Sequence, residues 1–165
     1  MQKKTKLLAL YGMYVALAMI LSYVECMIPM QGMVPGMKLG LTNVVVLVAL
    51  YTLSAKGAVF INLARIFFVA FTFGNAFSLW YSLAGGLLAF LVMYLLKKTE
   101  QFQVTTVSVA GSVAHNAGQL CVAAIILQTK TLLWYFGVLC VTGVITGIAI
   151  GLLGSYVMVR IAKIV

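Results

Sequence analysis

The chain has 165 residues, of which 64% are hydrophobic and 8% are charged, with a mean hydropathy of +1.16. Soluble domains need about 25% charged residues at their surface, so this composition excludes a soluble globular protein. Eleven basic residues stand against two acidic ones, Glu25 and Glu100, for a net charge of +9. Basic residues at the ends of apolar runs are typical of helical membrane proteins, so the charge does not indicate a nucleic-acid partner.

Apolar runs of about twenty residues recur along the whole chain, and a helix of that length crosses roughly 30 Å of hydrocarbon. We therefore predict an all-α polytopic membrane protein, embedded in lipid as a single integral membrane domain over residues 1–165. The first run follows three lysines but lacks a small-residue cleavage site, so we expect an uncleaved helix. The predicted spans are 7–28, 40–55, 57–74, 76–96, 104–128 and 131–160.

The stretch from Pro29 to Gly40 contains both prolines of the chain and three glycines, so it is predicted to be a loop. The second and third spans are short and meet at 54–57, either as one kinked hairpin or as two tilted helices. With the N-terminus in the cytoplasm, eight basic residues lie inside and only Lys38 and Lys130 lie outside. The positive-inside rule therefore predicts that both termini are cytoplasmic.

Arg65 lies in the middle of the third predicted span, with Asn62 one turn earlier on the same helical face. A charge at the centre of a span costs on the order of 3 kcal/mol on insertion scales, so such residues are frequently functional. The structural alternative is that Arg65 reaches the interface or pairs with backbone carbonyls. Glu25 is the candidate partner, because it is the only acidic residue near a membrane segment.

The fifth span carries a polar stripe at helical spacing, with Asn116 beside it. The stripe consists of Ser108, Ser112, His115 and Gln119. His115 is the only histidine of the chain and has no cysteine or carboxylate nearby, so we expect no metal site. The stripe is either a hydrogen-bonded helix contact, at about 0.6 kcal/mol per bond, or a ligand-binding face.

Two stripes of small residues predict close contacts between helices. In the last span the stripe is Gly143, Gly147 and Gly151. In the first span it is Ala9, Gly12 and Ala16. The last-span stripe is predicted to pack within the protein, whereas the first-span stripe either packs internally or docks another membrane protein.

Several chemistries are excluded by missing residues. The chain has no phosphate-binding loop of the form GxxxxGK[ST]. It has no aspartate at all, so neither a Ser-His-Asp set nor an Asp-rich magnesium–diphosphate site is possible. We therefore expect a protein that is not an enzyme and uses no cofactor, and that takes its energy from a partner. A channel is disfavoured, because the polar stripe is short and no ring of charge is evident.

Four segments of this sequence resemble the Gx transporter family, which is also labelled heptaprenyl diphosphate synthase component I. The strings PGMKLGL and AHNAGQ are its most specific parts. The segments are 35–51, 62–98, 108–124 and 141–153. The family is similar to the substrate-binding S components of energy-coupling factor (ECF) importers, which are bacterial membrane proteins with both termini in the cytoplasm.

The resemblance implies a site and partners. S components bind vitamins or related small molecules beneath a loop between the first and second helices, and they dock on a transmembrane T component and its ATPases. By resemblance, Met33 to Gly40 is the lid and the first-span stripe is the docking surface. The implied substrate-binding residues are Lys38, Asn62, Arg65, His115, Asn116 and Gln119.

The kind of ligand and the kind of partner both stay open. Because the spans hold almost no acids, an anionic or neutral polar ligand is favoured over a cation. The alternative function is that of a non-catalytic membrane partner of a prenyl diphosphate synthase or of a quinone or redox system.

Overall fold

A computed structural model of the chain describes residues 2–27, 38 and 40–161. Within these residues it is an all-α bundle, as predicted, and five of its helices are long and apolar enough to cross a membrane. The helices are α1 Gln2–Met27, α2 Asn43–Thr52, α3 Ala55–Thr72, α4 Ala76–Lys98, α5 Val104–Ile126 and α6 Phe136–Ile161, with a short 3₁₀ turn at Lys130–Tyr135 before α6.

The structure differs from the predicted spans at the second helix. The span predicted over 40–55 contains the ten-residue α2, which is about 15 Å long at 1.5 Å per residue. Gly40 has a φ of +83°, which ends helical geometry before α2, and the Ser54 side chain caps the start of α3 by accepting from Gly57 N at 3.1 Å. Hence α2 and α3 are two separate helices.

Helix α2 is the central helix of the bundle. All residues from Asn43 to Leu50 are buried, and α2 contacts every other α-helix. Its sequence is an unbroken apolar run rather than an amphipathic one, and a helix that is apolar on all sides is stable where neighbours cover every side.

Two contacts fix how α2 lies against its neighbours. The Tyr14 hydroxyl of α1 lies 2.8 Å from Thr52 Oγ1, and Lys97 Nζ at the end of α4 donates to the Leu50 carbonyl at 2.6 Å. The last turns of α2 and α4 and the first turn of α3 therefore share one end of the bundle. Lys56 and Lys97, which the charge count placed on one side of the membrane, lie at this end.

The glycine stripe of α6 packs closely against α5, which confirms that prediction. A Cβ at Gly147 would stand 2.5 Å from Val109 Cα, and one at Gly151 would stand 2.7 Å from Thr105 Cα. Only glycine allows the two backbones to approach this closely, and Ser108 Oγ uses the approach to donate to the Gly147 carbonyl at 2.8 Å.

Helix α1 is peripheral, and its stripe of small residues faces outward. Ala9, Gly12 and Ala16 are exposed, and nothing lies within 4 Å of a Cβ built on Gly12. The stripe is thus not used for packing within the described part of the bundle. Its role in docking another membrane protein stays a prediction.

Candidate functional site

Polar side chains from four helices meet inside the bundle, at the level where α2 begins and away from Lys97. Each of them is at most 3% exposed. We call this set the polar cluster, and it consists of Glu25, Asn43, Asn62, Arg65, His115 and Gln119. The contacts described below join its members to one another through the backbone of residues 40–42 and through two glycines of α4.

The α3 members form a fixed pair. Arg65 donates from Nε and Nη2 to Asn62 Oδ1, at 3.1 and 3.0 Å, and Asn62 Nδ2 donates to the Gly86 carbonyl at 3.0 Å. The amide of Asn62 therefore links the guanidinium to the backbone of α4. Asn62 orients Arg65 but brings no negative charge to it.

Glu25 does not form the pair with Arg65 that the sequence suggested. Its Oε1 accepts from the backbone N–H groups of Gly40 and Leu41, the latter at 3.1 Å, and its Oε2 accepts from Thr42 Oγ1 at 3.4 Å. The Glu25 and Arg65 charges interact only at longer range, and both lie in the described part of the chain, where no ion pair joins them. Glu25 instead fastens the start of α2 to α1.

The α5 members form a second pair. His115 Nε2 lies 2.9 Å from Gln119 Nε2, which is one turn further along the helix. The backbone N–H of Lys38 donates to Gln119 Oε1 at 3.2 Å. Lys38, a predicted site residue, therefore reaches the polar cluster through its backbone.

Two adjacent glycines of α4 separate the α3 pair from the α5 pair. A Cβ at Gly85 would stand 2.9 Å from Gln119 Cγ and 3.1 Å from His115 Cε1, while one at Gly86 would stand 3.3 Å from Asn62 Oδ1 and 3.4 Å from Arg65 Nη2. The absence of side chains at these two positions is what allows both pairs to approach α4 at the same level.

Asn116 lies apart from the other predicted site residues. Its Nδ2 donates to the Leu139 carbonyl at 2.8 Å, so it faces α6. The structure thus brings together Lys38, Asn62, Arg65, His115 and Gln119 and leaves Asn116 at the α5–α6 contact. Most of the predicted lid, Met33 to Gly40, lies outside the described residues.

Three buried side-chain atoms have no hydrogen-bond partner within the described residues: Asn43 Nδ2, Ser112 Oγ and His115 Nδ1. Asn43 Nδ2 and the His115 ring both lie beside Gly40. A Cβ built on Gly40 would stand 2.9 Å from Asn43 Nδ2 and 3.1 Å from His115 Cδ2. Unpaired buried polar atoms are rare in native proteins and need an explanation, such as a bound molecule.

The model of the heptaprenyl diphosphate synthase component I family matches residues 14–157. The chain belongs to this family. The match confirms the family resemblance noted from the sequence, and it includes the whole polar cluster. No curated protein and no solved structure matches the chain.

In this member of the component I family, two features of the site carry little sequence signal. Asn43 begins an apolar run and resembles an ordinary helix-start residue. Gly85 and Gly86 are small residues of the kind that any membrane helix contact uses. The sequence shows a pair of adjacent glycines within a span. Which side chains approach these glycines depends on how the helices pack, and the sequence does not show that.

Proposed function

We propose that the protein is the membrane-embedded, substrate-binding subunit of an ECF-type importer and binds a small anionic or neutral polar molecule at the polar cluster. The observation that carries this proposal is the state of Arg65. Arg65 is 3% exposed, and its hydrogen-bond acceptor among the described residues is the neutral Asn62 amide. Glu25 interacts with Arg65 only at longer range, so no counter-charge among the described residues is in direct contact with the guanidinium. A buried charge is costly without one, and a bound anion would supply it.

The rest of the chain supports a binding role without catalysis. It contains no aspartate and no phosphate-binding loop, so we propose that it is not an enzyme and that ATPases joined through a T component supply the energy. We place the end that carries Lys56 and Lys97 in the cytoplasm of a bacterial cell, with both termini on that side. The exposed α1 stripe, Ala9, Gly12 and Ala16, is the proposed docking surface for the T component.

Native mass spectrometry on protein extracted gently from its host membrane tests the proposal. We expect a retained small molecule, and a fraction of the protein in complex with a T component and ATPases. Arg65→Gln should abolish retention, whereas Arg160→Gln, which changes an exposed arginine stacked on Tyr156, should not. An empty protein that co-purifies with a soluble enzyme would reject the proposal.

The family description favours a second candidate, a non-catalytic membrane partner of a prenyl diphosphate synthase. A quinone or redox system is the other partner that this alternative allows. In that case the polar cluster serves packing alone. Arg65→Leu should then leave function intact, and a soluble prenyl synthase should co-purify in the absence of ATPases.

A further inference from the structure

A chain of hydrogen bonds determines which nitrogen of His115 carries its proton. The backbone N–H of Lys38 can only donate, so the Gln119 atom that faces it at 3.2 Å is the acceptor Oε1. The other end of the same amide, Nε2, then faces His115 Nε2 at 2.9 Å. An amide nitrogen can only donate, so His115 Nε2 must be the acceptor.

A neutral imidazole carries one proton, so the proton of His115 resides on Nδ1. That Nδ1–H group is buried and has no hydrogen-bond partner among the described residues. The backbone of Gly85 interacts with the ring, but Nδ1 itself has no acceptor in hydrogen-bond geometry. Asn43 Nδ2 is a second unpaired donor, and it lies beside Gly40, near the Cδ2 edge of the His115 ring.

The acceptor oxygens of Glu25 and Asn62 in the polar cluster are already used. Both oxygens of Glu25 accept from residues 40–42, and Asn62 Oδ1 accepts from Arg65. The side chains of the polar cluster therefore offer a surplus of donors. A group that brings acceptor oxygens would satisfy them, whereas an amine would not.

We propose that the ligand carries an oxyanion, a carboxylate or a phosphate, which accepts a hydrogen bond from His115 Nδ1–H. Gln119 is a positioning residue, because it selects the tautomer of His115 and is itself oriented by the backbone of Lys38. The inference rests on the proposed function, since it assumes that the polar cluster is a binding site, and it narrows the anionic or neutral ligand to one with an anionic oxygen group.

The location of the proton is directly measurable, because His115 is the only histidine in the chain. Full-length protein labelled with ¹⁵N in the imidazole and placed in lipid nanodiscs gives one pair of ring nitrogen signals. We expect a protonated Nδ1 and an unprotonated Nε2. Gln119→Glu offers only acceptor oxygens to the ring, so it should move the proton to Nε2. A wild-type spectrum with a protonated Nε2 overturns the inference.

Ligand recognition is tested with inorganic phosphate, pyrophosphate and acetate as probes, and with acetamide as the neutral comparator. At least one of the anions should bind and shift the Nδ1 signal, while acetamide should do neither. A response to phosphate alone or to acetate alone would identify which kind of oxyanion the site binds. No response to any anion overturns the oxyanion assignment.

A matched pair of variants separates recognition from packing. In His115→Asn the amide nitrogen is bonded to Cγ, so it takes the position of Nδ1. In His115→Gln the amide nitrogen is one bond further from Cβ, so it takes the position of Nε2. We expect His115→Asn to retain anion binding and His115→Gln to weaken it about tenfold, the effect of one hydrogen bond to a charged group. Equal losses in both variants, with equal thermal stability, would overturn the role of Nδ1.

The outcomes also distinguish this inference from the proposed function. If native mass spectrometry shows a retained neutral molecule and no anion shifts the His115 signal, the oxyanion assignment is wrong. The proposed substrate-binding function then still holds. If the protein retains no small molecule, co-purifies with a soluble synthase and responds to none of the anions, both the oxyanion assignment and the proposed function are wrong.

Discussion

Two faces of α5 both carry polar side chains, but they differ in whether the hydrogen bonds of those side chains are complete. Toward α6, the polar groups of Ser108 and Asn116 donate to the carbonyls of Gly147 and Leu139, both at 2.8 Å. On the side that faces α4, the donor on His115 Nδ1 is unpaired. In a bilayer a polar residue whose hydrogen bonds are complete is explained by packing, whereas an incomplete one needs a further partner, such as a bound molecule or water.

The largest effect is expected for Arg65→Leu, which tests the cluster side of this comparison. If the guanidinium meets a bound anion, its loss should weaken binding of the co-purified ligand by about 3 kcal/mol, or on the order of a hundredfold in Kd. Isothermal titration in nanodiscs measures this, with Arg160→Leu as the control. Unchanged affinity in Arg65→Leu would mean that the cluster is as purely structural as the α6 face.

Gly147→Ala tests the α6 side. The added Cβ would stand 2.5 Å from Val109 Cα, and backbone atoms yield little, so the free energy of unfolding should fall by about 2 kcal/mol. Gly12→Ala is the matched control, because nothing lies within 4 Å of its Cβ and a loss there should be absent. Reversible unfolding in mixed micelles measures both. Equal stabilities of the two variants would contradict the close α5–α6 packing.

Two asparagines give a sharper contrast at a smaller magnitude. Asn116→Leu removes one donor from the Leu139 carbonyl, which keeps Thr142 Oγ1 at 3.1 Å, and should cost stability of about 1 kcal/mol with no change in ligand affinity. Asn62→Leu removes the group that orients Arg65, so it should weaken ligand binding about tenfold. Melting temperature and Kd measured on both variants decide the matter. A loss of ligand affinity in Asn116→Leu would mean that Asn116 belongs to the binding site, as predicted from the sequence.

The comparison also shows what the sequence was able to predict. Apolar runs predicted the helices, and glycines at four-residue intervals predicted that α6 makes a close helix contact, because both signals are local and periodic. The structure shows that this contact is with α5. Asn116 and His115 are sequence neighbours on one helix, but they point to different helices, and the direction of each depends on packing that periodicity does not encode.

Other parts of the site depend on groups that have no side-chain signature. Glu25 was expected to pair with Arg65, but its Oε1 accepts hydrogen bonds from the backbone N–H groups of Gly40 and Leu41. Every residue except proline offers such a donor, so the sequence does not identify which one is used. The shortness of α2 likewise follows from the turn at Gly40 and from the cap at Ser54, which interrupt an apolar run of otherwise sufficient length.

The smallest expected effects come from two serines that lie one helical turn apart on α5. Ser108 donates to the Gly147 carbonyl, so Ser108→Ala should cost about 0.6 kcal/mol of unfolding free energy, the average for such bonds in membrane proteins. Ser112 Oγ is buried without a described partner, so Ser112→Ala removes an unpaired polar atom and should be neutral or stabilising in the ligand-free protein. Unfolding of both variants, with and without the co-purified ligand, measures the difference. A cost at Ser112 that appears only with ligand would place its hydroxyl in the site, whereas an equal cost in both states would mean that a partner such as buried water already satisfies it.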